Sequence, residues 1–147
     1  MKTMKFFLMA MLAALTITAC DSDDDVLIDE KDLPTTARTF LAQYFPSQTV
    51  TRVEKDGKNG SQYYDVTLSD GTDVEFDQNG NWTEIDCKTK AVPSVIIPQA
   101  ITAYVEGNYP GILIVQIDRE PYGYEIELSN HIDIKFDEQF NVLRIDR

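Results

Sequence analysis

Histidine and tryptophan each occur once in this 147-residue chain, and cysteine twice. A zinc site needs several closely spaced Cys or His ligands, and this chain has no such set. No serine, cysteine or threonine has a histidine motif beside it, because His131 stands alone at an expected turn; a surface turn histidine is the simplest reading of it. There is no glycine-rich phosphate loop. Neither cofactor nor metal nor catalytic residue is expected, and the chain does not read as an enzyme. Long apolar runs are missing too: residues 6–17 form an uncharged apolar stretch of 12 residues, short of the ~18 to 20 that a spanning helix requires. Bases are scarce, 13 Lys and Arg against 25 Asp and Glu, which disfavours nucleic acid as a partner because its phosphates must be neutralised.

What is present begins with an export signal. Lys2 and Lys5 precede the apolar stretch, and Ile17-Thr18-Ala19-Cys20 closes it. This resembles the bacterial lipobox, which implies cleavage before Cys20 and diacylglycerol on its sulfur. The implied partner is then a lipid bilayer, held through lipidated Cys20, with residues 1–19 as the signal peptide. Two or three acyl chains anchor stably where one does not. Residues 20–32 read as an acidic tether. Seven acids stand against Lys31 alone in residues 21–32, too little apolar surface to fold and enough chain to reach about 40 Å. The Cys-x-Ser-Asp-Asp-Asp pattern at residues 20–25 resembles the acidic signal that sends some lipoproteins of Gram-negative gut bacteria to the outer face of the outer membrane. That implies an exported outer-membrane lipoprotein, facing either the periplasm or the cell surface. Without Lys2 and Lys5, 11 bases face 25 acids, a net charge of −14. Cys87 becomes the one remaining thiol, expected to be buried or inert.

The rest of the chain reads as one unit used twice. Residues 33–56 align with 97–120, and residues 64–87 with 124–147, where 9 of 24 positions are identical, among them Tyr64/Tyr124, Leu68/Leu128, Phe76/Phe136 and Ile85/Ile145. Pro34, an apolar stripe of Ala37, Phe40, Leu41, Tyr44 and Phe45, and then Pro46 predict a helix; Pro98, Ile101, Tyr104, Val105, Tyr109 and Pro110 repeat it. Alternating stretches predict strands at 50–55, 63–69, 72–77 and 82–86, and again at 114–119, 124–129, 132–137 and 142–146. Asp70-Gly71 and Asn79-Gly80 mark hairpin turns. The fold class is α+β: a tandem repeat of helix plus four-stranded antiparallel meander, residues 33–87 and 97–147, joined by a linker at 88–96. About eight strands share one sheet, with helices on one face and the other open to water.

The run Gly71-Thr72-Asp73-Val74-Glu75-Phe76-Asp77-Gln78-Asn79-Gly80-Asn81-Trp82 resembles the strand-turn-strand motif of PepSY-like periplasmic proteins. That resemblance covers residues 33–147 and implies the tandem helix-plus-sheet fold of the β-lactamase inhibitor proteins, and a small secreted binding module. His131, Phe140 and Val142 replace Gly71, Gly80 and Trp82 in the second copy, so its turns depart from the motif. No inhibitory contact residue of that family is recognisable here.

Parity along the strands places Tyr63, Asp65, Thr67, Asp73, Glu75, Asp77, Trp82, Glu84 and Asp86 on the open face, joined by Glu125, Glu127, Asp133, Lys135, Asp137 and Arg144. Such a face is at minimum a solvated surface. As a site, Trp82, Tyr63, Asp65, Asp73, Glu75 and Glu84 are the candidates for holding a protein or peptide partner, with the aromatic rings as anchors. Oxygen-bearing residues alternate from Asp77 to Asn81 as in calcium loops, but Gly80 and the missing downstream acid fit a hairpin better. The functional reading is an envelope-anchored, non-enzymatic binding module, inhibitor-like in its finer form; the alternative is a structural or accessory envelope lipoprotein without inhibitory activity.

Overall fold

The computed structural model describes residues 26–58 and 61–147. Residues 1–19, read as a signal peptide, together with Cys20 and the acids at 21–25 lie outside the described residues. Nine strands form one antiparallel sheet in strict sequence order, and two helices accompany it. The chain runs β1 (Val26–Leu27), α1 (Thr35–Tyr44), β2 (Val50–Lys58), β3 (Ser61–Leu68), β4 (Asp73–Asp77), β5 (Trp82–Asp86), α2 (Gln99–Asn108), β6 (Ile114–Glu120), β7 (Gly123–Leu128), β8 (Asp133–Asp137) and β9 (Val142–Asp146). The sheet therefore has one strand more than the sequence suggests. The extra strand comes from the stretch read as a tether: Val26 and Leu27 pair with Lys55 and Glu54, and a 3-10 turn follows at Glu30–Asp32. Two apolar residues are enough here because β2 offers an open edge for them to pair with.

Prolines set the helix ends. Pro34 and Pro98 occupy the N-cap positions with φ near −50°, one residue earlier than the first turn expected of them. Pro46 and Pro110 push Phe45 and Tyr109 out of helical geometry, and each of these C-cap residues still donates its N–H to a carbonyl four residues back. The core lies against one face of the sheet. Phe76, Ile85, Ile117, Ile126, Leu128, Ile134 and Phe136 are fully buried there together with Ala37 and Ile101 from the helices. Phe40 of α1 meets the Phe76 ring edge-on at 5.8 Å, and Tyr104 of α2 meets Phe136 in the same way at 5.5 Å. Cys87 is buried beside this core.

One expectation for this face fails. Trp82 does not point into solvent; it is 5% exposed and packs in the core. Glu75 pairs with Glu84, but the next residue, Phe76, pairs with Trp82, so β5 carries one extra residue at Thr83. This β-bulge resets the alternation and turns the indole to the buried side. The sheet's far edge breaks the likeness between the Ile85 and Ile145 positions. Ile145 pairs with Ile134 on the core side, yet it is 44% exposed because β9 ends the sheet.

The turns of the second half keep their geometry despite the changed residues. Gly71 and Gly80 have φ of 86° and 81°, and their counterparts His131 and Phe140 take φ of 62° and 63°. Phe140 offsets that strain by stacking on Tyr124 at 5.8 Å.

Candidate functional site

The open face is organised by cross-strand registers. Glu54 pairs with Asp65, Asp65 with Glu75, Glu75 with Glu84, Glu84 with Asp118 and Asp118 with Glu125. Glu125 then pairs with Lys135, and Lys135 with Arg144. One line across eight strands thus carries six carboxylates followed by two cations. Directly opposed like charges destabilise a sheet, and here five consecutive pairs are acid on acid. A neighbouring line, Arg52, Thr67, Asp73, Asp86, Gln116, Glu127, Asp133 and Asp146, is also mainly acidic.

Cations on this face sit towards the margins. Arg52 pairs with Glu54, Lys88 with Asp73 at 2.8 Å and with Asp86, and Lys135 with Glu125 at 2.8 Å. The two carboxylates hold the Lys88 ammonium well above the ordinary lysine range. In the centre the donors are neutral. Thr83, the bulge residue, donates its hydroxyl to Glu75. The Gln116 amide nitrogen donates to Glu84 Oε1 at 3.3 Å and to Asp118 Oδ1 and Oδ2 at 3.3 and 3.2 Å. A neutral amide bridges two carboxylates without neutralising either.

Burial sharpens the repulsion. Glu84 is half-buried; desolvation, then Glu75, Asp86 and Asp65, raise its carboxyl above the usual range, with Lys88 opposing. Asp118 is pushed up to about 7, first by desolvation and further by Glu84, Glu125 and Glu120, against the Gln116 hydrogen bond. Near neutral pH, Asp118 therefore exchanges its proton readily.

A groove of about 640 Å3 opens on these residues. Five carboxylates line it (Asp56, Glu75, Glu84, Asp118 and Glu120), with Tyr63, Thr83 and the cation Arg119. Asp56 is 4% exposed. Of the residues singled out in the sequence, Tyr63, Glu75 and Glu84 meet in this groove, Asp65 stands next to it in the row, and Asp73 lies one line away beside Lys88. Trp82 is on the other face. Asp56, Thr83, Gln116 and Asp118 went unrecognised. The alternation of β6 marks Asp118 as facing outward, but no residue announces that β6 lies beside β5.

Other candidate features are occupied locally. Asp77 Oδ1 accepts the backbone N–H groups of Asn79 and Asn81, at 2.8 and 2.9 Å, so the would-be calcium loop is a self-satisfied hairpin turn. Among the described residues no group of three or more His, Cys, Asp and Glu has the arrangement to hold a metal ion. His131 is exposed, with Nδ1 3.3 Å from Glu127.

Residues 62–144 match the family model described as "Putative beta-lactamase-inhibitor-like, PepSY-like". No curated protein matches the chain. Three solved structures superpose on it with a TM-score of 0.82 each. A "putative periplasmic protein" from Bacteroides vulgatus is 43% identical over 86% of this chain and 99% of its own. A second from the same organism, described as "of unknown function", is 38% identical over 84% and 100%. A "putative calcium-regulated periplasmic protein" from Bacteroides thetaiotaomicron is 40% identical over 85% and 98%.

Proposed function

The chain belongs to the PepSY-like, beta-lactamase-inhibitor-like family, and we propose that it acts there as an exported, non-enzymatic binding module whose open sheet face takes up a cationic segment of a partner protein or peptide. The observation that carries this reading is the unbroken row of six carboxylates from Glu54 to Glu125. Five strand spacings give it a length of about 24 Å. A sheet that needed only solubility would alternate its charges. This one holds like charges opposite one another and half-buries Glu84 and Asp118. Lysine or arginine side chains entering the groove relieve that repulsion and return Glu84 and Asp118 to full ionisation. Arginine also offers paired donors that match a carboxylate. Tyr63, at the groove wall, supplies an aromatic surface for the stem of such a side chain.

The finer parts of the reading follow from the same features. The neighbours described as periplasmic support export, and the lipobox-like Cys20 supports an envelope anchor. Matching registers in the two halves support a duplicated helix-plus-meander unit. Bulges fall at Val50/Arg52 and Ile114/Gln116, and again at Glu75/Phe76 and Lys135/Phe136. The ring contacts at Phe76 and Phe136 support both helices packing on one face. Restraint of a hydrolase is one form that binding could take. Calcium, named for one neighbour, would act here as a counter-ion competing for the acidic groove.

Capture from an envelope extract tests the reading. The unaltered protein is expected to retain a partner with a basic surface, and Glu75→Lys with Glu84→Lys to lose it. Equal retention by both forms, or loss of nothing but acidic proteins, contradicts the proposal and favours an accessory envelope role.

A further inference from the structure

Strand β9 is an edge with an unfinished apolar flank. Among the described residues it pairs with β8 alone. Ile145 is opposite the fully buried Ile134, yet 44% exposed. The aligned strand of the first half shows what completes such a flank. Ile85, the counterpart of Ile145, is fully buried because β6 covers the other side of β5 and sets Ile117 opposite it. Natural edges are commonly blunted by proline or by inward-pointing charge. Residues 143–147 hold no proline, and the one paired core-side position among them is the apolar Ile145.

We propose that a second copy of this chain occupies this edge, β9 against β9, antiparallel about a two-fold axis perpendicular to the sheet, with Ile145 facing its own counterpart. Charge selects this register. With Ile145 at the axis, each Arg144 lies opposite the second copy's Asp146. Moving the axis by one residue in either direction sets Arg144 or Asp146 against itself. Within one copy, Arg144 Nε already donates to Asp146 Oδ1 at 2.7 Å, so both stand on the open face. The second copy's pair completes a square of four charges alternating in sign. The pairing repeats the one at β5 and β6, isoleucine opposite isoleucine on the core side. It also joins the molecules at their least acidic end, where Lys135, Arg144 and Arg147 offset the net negative charge that keeps copies apart elsewhere.

Sedimentation velocity of the detergent-solubilised protein, on the order of 1 to 100 µM, is the test, with far-UV circular dichroism confirming that each variant folds. A monomer–dimer equilibrium is expected. Arg144→Asp and Asp146→Arg should each weaken it about tenfold or more, because each sets like charges opposite. An equimolar mixture of the two variants should dimerise again, since every cross-axis pair in the mixed dimer then joins a carboxylate of one copy to a guanidinium of the other. Three results overturn the proposal: a monomer at every concentration, head-to-tail species that keep growing, or a dimer indifferent to either reversal.

Discussion

The Arg119 guanidinium lies over the Trp82 indole, its Cζ 3.9 Å from the ring centroid. Trp82 opens β5 and Arg119 nears the end of β6, so this contact closes the junction where the two halves of the sheet meet. Only three residue pairs join β5 to β6, and the stacked pair lies just past them. Trp82→Ala is expected to cost about 3 to 5 kcal/mol of stability, as a buried aromatic does. Arg119→Ala should cost only about 0.5 to 1 kcal/mol but uncover the ring. Urea denaturation followed by far-UV circular dichroism gives both midpoints, and emission of the single tryptophan, present in the parent and in Arg119→Ala, reports the surroundings of the ring. The unaltered protein should emit at short wavelength, and Arg119→Ala should shift the maximum to the red without a large change in midpoint. A Trp82→Ala variant of near-native stability would refute the buried assignment.

Asp118 makes stability fall as pH rises. Its carboxyl titrates at about 7 in the folded protein and at about 4 when unfolded, so the native state binds the extra proton between those values. Its destabilising effect is absent below about pH 4, grows as the pH rises towards 7 and is complete above it. Asp118→Asn should therefore be more stable than the parent at pH 8 by about 1 to 2 kcal/mol, discounted from the full shift because the group is partly solvated. The difference should shrink as the pH falls towards about 4. Urea midpoints on either side of neutrality measure it, and a variant less stable than the parent in mild alkali would contradict the electrostatic account of the face.

Much of the fold is legible in the sequence because alternation and hairpin glycines are local signals. Tyr64, Val66, Val74 and Phe76 point inward as their spacing requires, and Asn79-Gly80 turns where expected. What escapes is non-local. Thr83 looks like any strand residue, and only the pairing around it, Glu75 with Glu84 and then Phe76 with Trp82, reveals the bulge that buries the indole. Val26 and Leu27 become a strand only because β2 lies beside them. The acidic residues Asp65, Glu75 and Glu84 are visible one by one. Their continuation into Asp118 and Glu125 depends on the junction of β5 with β6, which no local pattern encodes.

Gly80 and His131 sit in equivalent kinds of turn but should respond oppositely. A Cβ on Gly80 would lie 2.8 Å from both the Ala37 backbone nitrogen and Pro34 Cβ, at φ 81°. Gly80→Ala should thus destabilise by about 2 kcal/mol or more, by clash as well as strain. His131, at φ 62°, strains the backbone with its side chain exposed to solvent. His131→Gly should stabilise by up to about 1 kcal/mol. Thermal melts of both variants check this, and the pair changing in the same direction would count against the turn assignment.

Cys20 is expected to carry the acyl chains, on the strength of the Ile17-Thr18-Ala19-Cys20 register. Labelling with a clickable fatty acid should mark the parent protein and leave Cys20→Ala unmarked, with the variant released from the membrane fraction or left uncleaved. Label persisting in Cys20→Ala would place the anchor elsewhere.

The proposal that the open face receives a cationic segment is tested most directly by nuclear magnetic resonance titration of the labelled protein with a lysine- and arginine-rich peptide at low salt, against an acidic peptide of equal length. The account predicts shifts for the backbone amides of Glu75, Thr83, Glu84, Gln116 and Asp118. It also predicts weakening as salt rises and a fall in the Asp118 pKa on binding. Shifts confined to the helices or to β1, or an equal response to the acidic peptide, would contradict it.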